Sequence, residues 1–144
     1  EVRRALDALS VELACDRISE EALTALGSAC EAFAMATKTK DTKKMAEADV
    51  ALHDIIVRAA DNSRLVSLVN NLSEQMYRYR FEYLKDASAH GQLIEEHRVI
   101  YESIRKKDKK TAAETVKLHI DNQEQSIMKQ LRLEKDKNLT KHSL

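Results

Sequence analysis

The chain has 144 residues, 43% hydrophobic and 33% charged, with 24 basic side chains set against 24 acidic ones. This length suits one domain with its own core, and a balanced charge excludes a basic nucleic-acid surface on this segment. With no proline and only two glycines, Gly27 and Gly91, a turn-rich β fold is excluded and helices are expected.

Hydrophobic spacing predicts six helices. The first covers about residues 1–17, with Val2, Leu6, Leu9 and Leu13 as its apolar face. Ser19 caps the second, Glu20 and Glu21 suit its positive end, and Leu23, Leu26, Cys30 and Phe33 follow at helical spacing. That helix ends near the Lys/Thr-rich stretch 37–43. Asp41 or Thr42 starts the third, which runs to about Ala60 and closes on the capped turn Asp61-Asn62-Ser63. The fourth reads as one long helix over about 63–85, striped by Leu65, Leu68, Val69, Leu72, Met76, Tyr79 and Tyr83. Ser88 to Gly91 separates it from the fifth, about 92–107, and Asp108 caps a sixth beginning near Lys109. Residues 1–133 form one helical domain in this reading, and 134–144 a polar tail that frays. Short connections between long helices imply an antiparallel bundle. An opening inside a helical pattern, without an initiator Met, suggests a piece of a longer protein.

The chemistry gathers on three of these helices. Asp49 and His53 are four apart and share one face of the third helix, beside Met45, Leu52, Ile56 and Ala59. His97 lies in the stripe Leu93, His97, Ile100, Tyr101, Ile104, and His119 in the stripe Ala112, Val116, His119, Ile120, Gln123, Ile127. A polar group on an apolar stripe needs a partner, because burial without one costs about 1–3 kcal/mol. A single core-facing histidine is usually structural, but three helices that each turn imidazole or carboxylate inward can converge on one metal ion. Three imidazoles and a carboxylate suit zinc, nickel, iron, manganese or cobalt better than calcium or magnesium. His90 and His142 fall at a helix junction and in the tail, and both are expected to face solvent.

Other signatures are missing. There is no HExxH, no Glu-x-x-His, no Gly-rich phosphate loop and no serine in a nucleophile-elbow context. The absence of Trp speaks against a base-stacking platform. No run of 18 apolar residues exists, and the first residues are no signal peptide. Cys15 and Cys30 form no CxxC and fit small buried thiols of a reduced, cytoplasmic protein.

The opening Glu1-Val2-Arg3-Arg4-Ala5-Leu6-Asp7 with Ala14-Cys15-Asp16-Arg17 resembles the first helix of the FadR C-terminal domain (FCD), the ligand-binding half of many GntR-family regulators. Asp49-Val50-Ala51-Leu52-His53, followed by Ala59-Ala60-Asp61-Asn62-Ser63-Arg64-Leu65, resembles the family's D-x-x-F-H…A-x-x-N-x-x-L segment. Glu96-His97-Arg98-Val99-Ile100 resembles its E-H-x-x-I motif, and Lys109 to Ala113 with His119-Ile120 its D-x-x-x-A…H-I ending. The likeness spans nearly the whole chain, departing at Leu52, where Phe is usual, and at Asp7, where Glu is common. It implies an all-α antiparallel bundle of six to seven helices. It also implies Asp49, His53, His97 and His119 as ligands of one divalent metal, zinc ahead of nickel, manganese, iron or cobalt.

Beside that metal the likeness implies a small carboxylate effector. A DNA-binding winged helix-turn-helix would lie upstream, outside this sequence, in a homodimeric, cytoplasmic regulator that is not an enzyme. A buried carboxylate wants a guanidinium fork. Arg3 matches the family's helix-one arginine, Arg78 matches one in helix four, and Arg80 lies nearer that helix's apolar face. For each of the three, a surface arginine is the competing reading. Tyr77, Tyr79 and Tyr101 could bond an effector, although core packing suits them better. Two rivals stand beside the sensor. One is a metal-dependent hydrolase with an open coordination position, its base drawn from Glu95 or Glu96. The other is a plain structural bundle without metal.

Overall fold

The computed structural model describes residues 1–141, so His142 lies outside the described residues. Seven α-helices follow in order: α1 (Val2–Arg17), α2 (Glu20–Ala36), α3 (Thr42–Ala59), α4 (Ser63–Asn71), α5 (Ser73–Leu84), α6 (His90–Arg105) and α7 (Lys109–Lys141). Short 3-10 turns occupy Thr37–Thr39 and Ala87–Ala89, and the described residues contain no strand. The all-α expectation holds. The predicted caps are in place. Side-chain oxygens of Ser19, Asp41, Asn62 and Asp108 accept from the backbone N–H of Ala22, Lys44, Leu65 and Thr111. Lys40, Asp61 and Lys107, at φ 58, 47 and 59, turn the chain between helices.

Three features depart from the sequence reading. The long fourth helix is two, because Leu72 (φ −99, ψ −1) donates back to Val69 and breaks the ladder before Met76 bonds to Leu72. Asn70 and Asn71, both weak helix formers, precede the break. In α1 the leucine stripe faces the core only in part, Leu6 and Leu13 being half-buried. Val2 is 65% and Leu9 41% exposed, whereas Asp7, Ala8, Val11, Ala14 and Cys15 are buried. Beyond Glu134, α7 continues as an exposed helix to Lys141 rather than fraying.

Helix α3 is the centre of the bundle, packing against α1, α2, α4 and α5, while α7 lies along α1 and α6. Two apolar clusters fill the interior. One joins Val11, Leu26, Ile56, Ile100, Val116 and their neighbours; the other joins Phe33, Met45, Tyr83, Leu84 and Leu93. Along α3 the order is Met45, then Asp49 and His53, then Ile56; along α6 it is Leu93, His97, Ile100. The polar residues therefore fall between the two clusters. Gly27 lets α2 approach α6 closely, since a Cβ there would sit 3.3 Å from the Tyr101 ring. No helix among the described residues is long and apolar enough to cross a membrane.

Candidate metal centre

Asp49, His53, His97 and His119 are all buried, and one ligand atom from each lies within 4.8 Å of the others. Asp49 Oδ1 stands 3.0 Å from His97 Nε2 and 3.4 Å from His53 Nε2. The three imidazole rings have centroids 5.3–5.4 Å apart. Yet Asp49 Oδ1, His53 Nε2 and His97 Nε2 make no hydrogen bond. They are close without pointing at one another. With ligand bonds of about 2.1 Å, cis ligands of an octahedral ion lie about 3.0 Å apart and tetrahedral ligands about 3.4 Å apart. The donor set and its spacing fit a divalent transition metal, which would satisfy all three orphaned atoms at once.

The protonation states agree with this. Burial, reinforced by Arg80, pushes the His53 imidazole down to about 3 against the pull of Asp49. Burial also lowers His119, so these rings stay neutral and keep a lone pair for a cation. Burial alone would raise the Asp49 carboxyl. Against that, the Arg80 guanidinium 2.9 Å away favours the ionised form, and the carboxyl lies well below the usual carboxylate range.

His119 is oriented by Glu96, which the sequence offers as the motif neighbour of His97 and as a possible base. Its Nδ1 lies 2.6 Å from Glu96 Oε2. Glu96 Oε1 in turn accepts from Asn122 at 2.7 Å and Gln92 at 3.2 Å. An ionised carboxylate only accepts, so Nδ1 carries the proton and Nε2 keeps its lone pair, which accepts from Gln123 Nε2 at 3.1 Å. The signal for Glu96 was its place beside His97, one step round α6, where it faces α7. Glu95 points outward and pairs with Arg98, so neither glutamate is left as a base for a hydrolase. Glu96→Gln is expected to weaken metal binding about 10–100-fold with the fold intact, read by competition with a chromogenic chelator. Unchanged affinity would mean that Glu96 does not tune His119.

The three arginines separate. Arg80, 5% exposed, sets Nε 2.9 Å from Asp49 Oδ2. Arg3 is largely buried. Its Nη1 donates to Gln123 Oε1 at 3.0 Å, its Nε is 3.5 Å from Asp7 Oδ2, and its guanidinium lies over the Tyr79 ring. Gln123 Nε2 is 3.1 Å from His119 Nε2, which connects Arg3 to the cluster. Arg78 lies on the exposed face of α5, away from the others. Tyr77 is half-buried and lines the cavity described next, while Tyr101 packs into the core. His90, expected in solvent, is half-buried and donates from Nε2 to the Leu84 carbonyl at 2.8 Å, closing the end of α5. Cys15 is buried, Cys30 half-buried, and both are free.

A cavity of about 360 Å³ opens beside the cluster between α1, α3, α4 and α5. His53, Arg80 and Asp7 stand on its wall, with Val57, Val69 and Met76 supplying apolar surface. Its size is at the lower end for small-molecule pockets.

The fold is thus a helical bundle around a buried cluster able to hold a metal, with a cavity at its side. The chain belongs to the FCD domain family, found in GntR-type transcriptional regulators, whose model matches residues 1–122. It is 30% identical over 124 residues to the HTH-type transcriptional regulator YdhC of Bacillus subtilis, covering 84% of this chain and 54% of that protein. In fold it is similar to McbR/YncC of E. coli, with a TM-score of 0.73 at 17% identity over 86% of this chain and 65% of that one. The chain thus spans about half the length of the curated relative it matches.

Proposed function

We propose that this domain senses a small carboxylate effector beside a divalent metal and so modulates DNA binding by a winged helix-turn-helix carried elsewhere in a cytoplasmic, homodimeric regulator. Asp49, His53, His97 and His119 would hold the metal, zinc first among the candidates. Three unbonded ligand atoms around one point, next to a cavity walled by Arg80, are the observation that carries this reading.

Charge supports the effector class. The buried carboxylates Asp7, Asp49 and Glu96 outnumber the guanidiniums of Arg3 and Arg80 by one. A divalent cation, supplying charge and open coordination positions, would reverse that sign and draw an anion into the cavity. In this reading Arg80 and Arg3 orient the carboxylate, and Arg78 takes no direct part. The effector would tie α1, α3 and α5 together, and that is the kind of contact that shifts a population between two bundle arrangements.

The test is native mass spectrometry with elemental analysis on protein purified without added metal. One transition-metal ion per chain is expected, with a further thermal shift on adding small carboxylates. No bound metal, together with no shift on adding Zn²⁺ or Ni²⁺, would leave a structural bundle instead.

A further inference from the structure

The candidate ligand atoms are not alike. Asp49 Oδ1, His53 Nε2 and His97 Nε2 have no hydrogen-bond partner, whereas His119 Nε2 meets Gln123 Nε2 at 3.1 Å. Gln123 is buried and lies one turn along α7 from His119. Its amide has a single workable orientation. Arg3 Nη1 lies 3.0 Å from one end of it, and a guanidinium carries no acceptor, so that end is the oxygen. The NH2 end then faces His119. Across that ring the Glu96 carboxylate holds the proton on Nδ1, which leaves Nε2 to accept. The series Arg3, Gln123, His119, Glu96 thus runs from a group that only donates to one that only accepts, and every bond in it donates toward Glu96.

Resting on the metal reading above, we infer that Gln123 is a latch on the metal centre: it occupies the His119 lone pair in the metal-free protein, and a divalent cation must displace it. One imidazole lone pair serves an N–H or a cation, not both. Displacement leaves a buried amide N–H without its acceptor, a loss that water does not make good. The latch therefore lowers metal affinity, where Glu96 raises it. It also carries the event outward. Arg3 belongs to α1, which supplies none of the four ligands, and its guanidinium lies over the Tyr79 ring of α5. The amide that holds Arg3 is the one the metal moves, so α1 responds to a cation it does not touch.

The test is zinc titration of the chain against a chromogenic chelator, joined to heteronuclear NMR of the Gln123 side-chain amide and the Arg3 guanidinium. Gln123→Met keeps the length and removes the donor. It is expected to bind Zn²⁺ about 2–10-fold more tightly than wild type, although the metal-free variant melts lower. In wild type, Zn²⁺ is expected to move the Gln123 amide protons upfield, the sign of a lost hydrogen bond, and to shift the Arg3 signals. In Gln123→Met the Arg3 response should disappear. A glutamine with only a structural role would give lower stability with unchanged or weaker zinc binding, and that result would overturn the inference. Should Gln123→Met fail to fold, the wild-type spectra decide, since Gln123 and Arg3 signals that stay in place at zinc saturation would overturn it equally. Wild type that binds no Zn²⁺ at all would remove the metal reading, and this inference with it.

Discussion

Replacing His97 or His119 by alanine is expected to lower divalent-metal affinity on the order of a thousandfold and to abolish the metal-dependent rise in melting temperature. A removed ligand should cost more than the 10–100-fold typical of residues that only orient one. The two variants should behave alike in metal binding and differently in stability. His97 packs edge-on against Phe33 with centroids 4.6 Å apart, so His97→Ala also opens a void in an apolar cluster. His119 is held by Glu96 and Gln123, so His119→Ala instead strands a buried carboxylate. Melting curves in a chelator isolate these structural costs, and the metal-induced increment above them reports the ligand. Full metal content by elemental analysis in both variants would reject the four-ligand assignment.

The four clustered residues were legible because each is polar at a position where helical spacing demands an apolar side chain. Apolar neighbours at three and four residues mark Asp49, His53, His97 and His119 as inward-facing before any fold is known. The same logic misled in α1. Its large apolar side chains Val2 and Leu9 lie outward, and small or polar ones, Asp7, Ala8, Ser10, Ala14 and Cys15, fill the close approach to α3, α6 and α7. A helix that turns an Arg3–Asp7 pair toward a polar centre cannot show a clean apolar face. The break at Leu72 was hidden because no Gly or Pro marks it. Glu96 was half legible: its neighbour His97 fixed the inward direction of α6, but only the packing of α7 supplies the His119 ring it holds. Nothing along the chain relates Arg80 to Asp49, since that contact depends on how α5 lies against α3.

Arg80→Met is expected to destabilise the metal-free protein by about 3–5 kcal/mol, because it leaves the Asp49 carboxylate buried without its cation. Both partners are almost fully inaccessible, with side-chain exposures of 6% and 1%, so solvent does little to soften the loss. In a domain whose total stability is about 5–15 kcal/mol, that is a large share. Adding Zn²⁺ should recover much of it. Asp49 Oδ1 faces the imidazoles and Oδ2 faces Arg80, so a cation bound on the first oxygen replaces charge lost beside the second. Denaturation curves of wild type and variant, each in chelator and in excess Zn²⁺, form a cycle whose coupling term measures this exchange. A clear coupling would mean that guanidinium and metal stabilise one shared carboxylate. An effector that draws Arg80 toward its own carboxylate would then be felt at the metal through Asp49. Equal destabilisation with and without Zn²⁺ would show instead that the ion pair and the metal site are independent.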